Sequence, residues 1–353
     1  MGPVLRRNLL NRSTPILADP GSSCTLGDSA PANIRAALIG YGRWGVNVAR
    51  NAGRFAGCGL VAIADPSSER LDQARRNHPD AAAHADWRAV VRDASIDAVL
   101  IATPADTHYD LAHAALAASK HVFVEKPMTA SAREARMLVE LAAKRDRVLM
   151  VDHTYVFSPA VQAIAATLAA GAIGRPLAYV SSRHNAGGVR GDASVHWDLA
   201  AHDLAILGHL FARGPHEVVA TRLDGGQGER IGVRLVLAYP DAFTATIESS
   251  WTAPAKARRV AISGAAGRID YDDLAPERKV RVRTHGGDIE PLLGVVEPLY
   301  AALIHFAACI DGRAAPQADG RAGLEVVRLL EAADRSLASG GHPVVVASRV
   351  EAA

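Results

Sequence analysis

Between residues 34 and 153, short apolar runs alternate with amphipathic stretches, and one of the turns between them is Gly40-Tyr41-Gly42-Arg43-Trp44-Gly45. No other feature narrows the fold as much. The apolar runs are Ile34–Ile39, Leu60–Ala64, Ala98–Ala102, Val122–Val124 and Val148–Val151. Between them Arg43–Phe55, Ser67–Asn77, Asp106–Ala118 and Ser131–Lys144 read as helices. Short runs that are apolar throughout are strands buried on both faces. Strands alternating with helices build right-handed crossovers onto a parallel sheet. The expectation is an α/β domain with a doubly wound parallel sheet over residues 34–153.

The pattern changes after that. Helices are expected at Ser158–Ala169 and Asp198–Phe211, and closing helices at Leu299–Ile310 and Leu324–Leu337. Strand-like composition marks Leu177–His184, Glu217–Arg222, Gly232–Tyr239, Phe243–Trp251, Arg259–Ser263 and Val280–Thr284. Turn signals such as Asp224-Gly225-Gly226 and Tyr239-Pro240-Asp241 separate them. Residues 154–353 therefore read as an α+β domain with a large, mostly antiparallel open sheet and helices on one face. A chain of 353 residues accommodates two such domains.

Charge excludes some partners. Against 37 acidic side chains stand 39 basic ones, a formal net charge of +2, so neither nucleic acid nor an anionic membrane is expected to bind. No apolar run approaches the length of a membrane span. Cys24, Cys58 and Cys309 are far apart and match no disulfide or zinc spacing, which fits a reducing compartment and a cytoplasmic location. Residues 1–33 read as a polar extension of disordered composition. Arg6-Arg7 resembles a twin-arginine signal, but Asn11, Arg12, Ser13 and Pro15 interrupt the apolar core that such a signal needs.

The hexapeptide Gly40–Gly45 is G-x-G-x-x-G in its required setting, after a strand and before a helix. Its glycines let the backbone approach a pyrophosphate, and the helix N-terminus supplies N–H donors and a positive dipole. Gly40, Tyr41, Gly42, Arg43, Trp44 and Gly45 are thus candidate cofactor contacts. Asp65 lies 20 residues beyond Gly45, where a carboxylate accepts from both adenosine ribose hydroxyls and repels a 2′-phosphate. That favours NAD over NADP, although Ser67, Ser68 and Arg70 nearby soften the preference. Asp65 also suits a helix cap, since Pro66 follows. Thr103, Pro104 and His108 follow the fourth strand and are candidates near the nicotinamide half, or else a turn and a cap.

Two clusters can carry chemistry. Glu125-Lys126-Pro127 ends the fifth strand, and Lys126 there can reach the crevice and stabilise a developing alkoxide. Asp198 and His202 are four apart, so one helix face would carry both. A carboxylate beside an imidazole fixes its tautomer and raises its basicity, as proton removal from an alcohol requires. The simpler reading is a helix cap and a surface histidine. His153 and His196 bring further imidazoles, but their spacing with Asp198 and His202 matches no standard zinc motif, and no metal is expected.

Taken together, Gly40–Gly45 after a strand, Ala102-Thr103-Pro104 with His108, Glu125-Lys126-Pro127 and Asp198-x-x-x-His202 resemble the Gfo/Idh/MocA oxidoreductase family over residues 34–340. The resemblance implies an N-terminal Rossmann domain, a C-terminal open sheet that serves as an interface in a homodimer or homotetramer, and an active site between the two. It implies that Glu125 and Lys126 line the cofactor, that Lys126 contacts the reacting oxygen and that His202 is the acid/base. Asp198 would orient His202 or bind substrate, with His153 as a further substrate contact. The small-molecule substrate would be a sugar, a nucleotide sugar or a cyclitol. The run Arg183–Asp192, followed by Val195–Asp203, is similar to members that oxidise C3 of UDP-N-acetylhexosamines. Arg183 and Arg190 would then meet phosphate or carboxylate groups, or be solvated loop arginines. Two departures stand out: Asp152 where many relatives have a small residue, and Ala201 where the most similar have Pro. Two rival functions share the fold, a glycoside hydrolase working through transient oxidation by NAD and a non-catalytic dinucleotide sensor.

Overall fold

The computed structural model describes residues 34–54, 57–187, 194–224 and 230–346. Two sheets organise them. The first holds β1 (Ile34–Ile39), β2 (Cys58–Ala64), β3 (Ala82–His84), β4 (Ala98–Ile101), β5 (His121–Glu125) and β6 (Leu149–Asp152). All are parallel, in the order β3-β2-β1-β4-β5-β6. This is the doubly wound order, with its reversal between β1 and β4. The crossover helices are α1 (Gly45–Ala52), α2 (Ser68–Asn77), α3 (Trp87–Arg92), α4 (His108–Ala117) and α5 (Ala132–Arg145). The inner strand β4 is buried end to end, as its unbroken apolar run requires, and the edge strand β3 is the most exposed.

Local chemistry sets the helix ends. Ser67 and Ser131 cap α2 and α5, accepting from Arg70 N and Glu134 N. Ser158 caps α6 (Pro159–Ala169), whose first position is proline. The first helix is shorter than expected, because residues 42–44 form the turn that the glycines permit.

The second sheet has nine strands. They are β7 (Pro176–Ala186), β8 (Glu217–Asp224), β9 (Arg230–Ala238), β10 (Thr244–Ser250), β11 (Thr252–Gly264), β12 (Gly267–Asp272), β13 (Val280–Thr284), β14 (Gly287–Ile289) and β15 (Val344–Val345). Their order is β14-β13-β12-β11-β7-β10-β9-β8-β15, and every pairing is antiparallel except β7 with β10. The inward positions Tyr179, Val218, Leu235, Ile247, Ile262 and Val282 are buried in one cluster with residues of α6, α7 (Ala201–Leu210), α8 (Pro298–Ile310) and α9 (Gly320–Ala338). The alternate positions form an open face. Across it Val219, Val236, Thr246, Val180 and Ala261 stand in register on five neighbouring strands. Val180 in this row is 47% exposed.

Candidate active site

The glycine turn has the shape of a phosphate cradle. Gly40 has φ +95, a left-handed conformation that favours glycine, and a Cβ there would lie 2.5 Å from the Ala102 carbonyl oxygen. At Gly45 a Cβ would lie 2.0 Å from the Gly40 oxygen, so this glycine lets α1 press against β1. Gly42 is different: a Cβ there meets only Arg70 Nη1, at 3.9 Å. The space that its missing side chain leaves suits the backbone's approach to a pyrophosphate. α1 starts with no side-chain cap and no acidic residue in its first turn, so no carboxylate competes with an anion for its dipole.

Asp65 holds this turn in place. Its Oδ2 accepts from Tyr41 N at 2.8 Å and its Oδ1 from Ser67 N at 2.9 Å, and the residue is 2% exposed. The helix cap is Ser67, not Asp65. Arg70 Nη1 lies 3.5 Å from Asp65 Oδ2. Tyr41 is buried and accepts from Asn77 Nδ2, whereas Arg43 and Trp44 are exposed.

His108 has a different place from the one expected. It is 1% exposed, and its two nitrogens face the Pro127 and Thr103 carbonyl oxygens at 2.8 and 3.0 Å. The ring ties the Thr103-Pro104 loop to the Lys126-Pro127 loop and does not enter the crevice. Burial holds its pKa below the ordinary imidazole value. Thr103 is half-buried and its Oγ1 accepts from Thr107 Oγ1, while Pro104 is exposed.

Lys126 and Asp198, 72 residues apart, converge. Lys126 Nζ donates to the Asp198 backbone oxygen at 2.8 Å and to Oδ1 at 3.2 Å. Trp251 Nε1 donates to Asp198 Oδ2 at 3.0 Å. The expected carboxylate–imidazole pair is corrected here. His196–Ala200 is a π-helical turn and α7 begins only at Ala201, so Asp198 and His202 sit on differently wound segments. The His202 Nδ1 is buried with no partner. Its pKa is driven well below the ordinary value, first by burial and then by the charges of Lys126 and Arg183. His202 is therefore a neutral imidazole at neutral pH, where raised basicity had been expected. Tyr155 packs edge-on against it, with ring centroids 5.0 Å apart.

His153 lies next to this cluster and is 2% exposed, with both ring nitrogens lacking partners. Burial and Lys126 push its pKa down to about 3. Arg183 is neither a solvated loop residue nor open to a ligand phosphate. It sits within β7, 4% exposed, with Nε donating to Asp203 Oδ2 at 2.6 Å and its guanidinium 4.2 Å from the Tyr155 ring centre. Arg190 falls outside the described residues. His196 Nε2 and Trp197 Nε1 both contact Asp334 of α9, which makes His196 an anchor for the π-helical turn. Among the described residues, no group of three or more His, Cys, Asp or Glu could hold a metal ion.

Reading the residues one at a time misses Asp203, Tyr155 and Trp251. Asp203 was visible as part of His196–Asp203, but only the β7–α7 packing reveals its partner. Trp251 follows β10 and carries no motif.

The comparisons agree with this geometry. Residues 34–153 match the family model described as an oxidoreductase family with an NAD-binding Rossmann fold. Residues 161–270 match the GFO/IDH/MocA C-terminal domain. The scyllo-inositol 2-dehydrogenase (NAD(+)) of Bacillus subtilis is 25% identical over 300 residues, covering 80% of this chain and 88% of that protein. The D-apiose dehydrogenase of Paraburkholderia graminis is 27% identical over 332 residues, covering 87% and 88%. The structure of UDP-N-acetylglucosamine 3-dehydrogenase from Acidithiobacillus ferrooxidans superposes with a TM-score of 0.78 at 24% identity, over 87% of this chain and 99% of that one. A glycine turn built for a dinucleotide, Lys126 beside Asp198 in the crevice and two matching family models lead to one conclusion: the chain belongs to the Gfo/Idh/MocA oxidoreductase family.

Proposed function

We propose that the protein is an NAD-dependent dehydrogenase that interconverts a secondary alcohol and a ketone on a sugar or cyclitol. The observation that carries this reading is the meeting of Lys126, Asp198 and His202 at the carboxyl ends of the first sheet, beside the glycine turn. NAD bound at that turn supplies the hydride acceptor or donor. The remaining steps belong to the chain. Neutral His202 takes the hydroxyl proton as the carbon loses hydride, and returns it in the reverse direction. Lys126 donates to the reacting oxygen and stabilises its alkoxide charge. Asp198 holds Lys126, and Trp251 holds Asp198. His153, with both nitrogens unpartnered, offers a donor and an acceptor to substrate hydroxyls.

The Asp65 carboxylate supports NAD over NADP, since Oδ1 keeps a lone pair beyond its backbone contact, while Oδ2 also faces Arg70. A nucleotide-sugar substrate loses one of its supports, because Arg183 is neutralised by Asp203. A free sugar or cyclitol is the reading preferred here. The low, scattered cysteine content supports a cytoplasmic location. No helix among the described residues is long and apolar enough to cross a membrane. The apolar row on the open face supports pairing of two copies through the second sheet, in a homodimer or homotetramer.

The test is initial-rate NADH formation over a panel of cyclitols, free sugars and nucleotide sugars, with wild type and His202→Ala. Substitution should lower kcat by about 10²- to 10⁴-fold while NAD affinity holds. A fully active His202→Ala enzyme overturns the assignment. Cofactor that survives gel filtration with no net NADH produced favours a hydrolase working through transient oxidation. NAD binding with no turnover of any kind favours a sensor.

A further inference from the structure

The cofactor crevice contains two acidic side chains that the mechanism above does not use. Glu125 ends β5 and Asp152 ends β6, and the two are directly paired in the sheet register. Asp152 is 1% exposed. Its Oδ2 accepts from Trp44 Nε1 at 3.0 Å, so the glycine turn itself supplies one donor. Asp152 Oδ1 and Glu125 Oε2 are buried and have no donor. Two ionised carboxylates in this position would face each other with acceptors alone. One proton held between them removes the conflict and leaves a single negative charge.

Topology places that charge at a particular end of the cofactor. The glycine turn follows β1, and Asp65 at the end of β2 lies to one side of it. β4, β5 and β6 lie to the other side, and there Lys126 of the reacting cluster follows Glu125. A dinucleotide spanning the turn with its adenosine toward β2 extends its nicotinamide toward β5 and β6. The oxidised nicotinamide ring is a cation, and the reduced ring is neutral. A buried negative charge beside it therefore acts on one redox state alone.

We propose that the Glu125–Asp152 pair places one buried negative charge at the nicotinamide end of the crevice, and so makes this enzyme hold oxidised NAD in preference to NADH. The proposal rests on NAD binding across the glycine turn. Its chemical consequence is a bound couple of lower potential, which favours hydride transfer from the reduced cofactor to a ketone.

The charged and polar groups facing the pair are few. Lys126 adjoins both carboxyls, and its charge is met by Asp198. Trp44 contributes its indole N–H, and His153, next in sequence, is held neutral. Burial raises the pKa of Glu125 well above the ordinary carboxyl value, with the charge of Asp152 adding to it. Burial likewise raises Asp152 to about 6, against the opposing pull of Trp44, Glu125 and Lys126. The charge on Asp152 is lost as pH falls through about 6.

The experiment measures dissociation constants of NAD+ by calorimetry and of NADH by fluorescence, for wild type, Asp152→Asn and Asp152→Gly. At pH 8 the ratio Kd(NADH)/Kd(NAD+) should fall about three- to tenfold in both variants. In wild type the same ratio should fall as pH drops through about 6, and in Asp152→Asn it should not. Equal ratios in wild type and both variants at pH 8 overturn the proposal. So does a parallel loss of affinity for both cofactor forms, which marks a purely structural residue. A wild type that binds neither form fails at the cofactor reading itself, which separates the two.

Discussion

His202 shows how far surroundings override a side chain's ordinary chemistry. Its ring is enclosed by Tyr155, and the charges of Lys126, Arg183 and Arg258 all disfavour the imidazolium. A base that is already neutral needs no deprotonation before it accepts the alcohol's proton. The expected result is a pH profile of kcat/KM for alcohol oxidation with no acid limb from His202 near the ordinary imidazole value. In Lys126→Met one of the opposing charges is gone, so the His202 titration followed by NMR should move to higher pH. An unchanged titration would show that Lys126 does not face the ring. Asp152 follows the same logic with the opposite sign. Its native pKa of about 6 lies above the unfolded value near 3.8, so the native state binds more protons between those two pH values. Its contribution favours folding at low pH and is lost as pH rises through about 6.

At the scale of elements, one buried ion pair attaches the helix that bears His202 to the sheet. Arg183 of β7 and Asp203 of α7 are side by side, and both are almost fully buried. Removing Arg183 strands a buried carboxylate, which costs about 3–5 kcal/mol. Arg183→Ala should show that loss in urea unfolding. If the variant keeps wild-type stability but its KM rises, Arg183 is a substrate contact. The open face of the second sheet invites a separate test. Val180 stands between Thr246 and Ala261 in the row that continues to Val236 and Val219. A charge placed there should be tolerated by a monomer and excluded from a packed interface. Val180→Glu should therefore reduce the mass in light scattering to that of one chain. A variant that keeps the wild-type mass locates the interface elsewhere.

The whole molecule carries an excess of imidazoles held neutral. Burial lowers His108 and His202, takes His121 to about 4 and takes His153 to about 3. Each binds fewer protons in the native state than in the unfolded chain, whose imidazoles titrate near 6.5. Below that pH each costs stability, and the loss grows as pH falls toward the native values. The carboxyl pair of Glu125 and Asp152 acts in the opposite direction, but these imidazoles outnumber it. Thermal unfolding should therefore show Tm falling between pH 7 and pH 5. In Asp152→Asn, Tm should rise at pH 8, and the gain should shrink toward pH 5. A Tm that holds or rises on acidification would mean that the imidazoles are solvated.

The alternation of apolar runs and helical stretches, with Gly40–Gly45 in the first turn, determined the parallel sheet and its dinucleotide cradle, because buried strands and glycine conformations are written locally. The antiparallel character of the second sheet was also legible, from its turn residues. Lys126 and His202 were recognisable as a set through their resemblance to a family. Their contacts were not. The π-helical turn at His196–Ala200 gave Asp198 to Lys126 and Trp251, and no periodicity in the sequence announces such a turn. Arg183 read either as a ligand contact or as a solvated loop arginine, because its partner lies 20 residues away on another element. His108 became a tether, and Asp152 a buried neighbour of Glu125, only when separate strand ends were brought side by side. The sequence by itself determined which backbone conformations were available. The tertiary structure decided which polar groups share a dry space, and hence their charge.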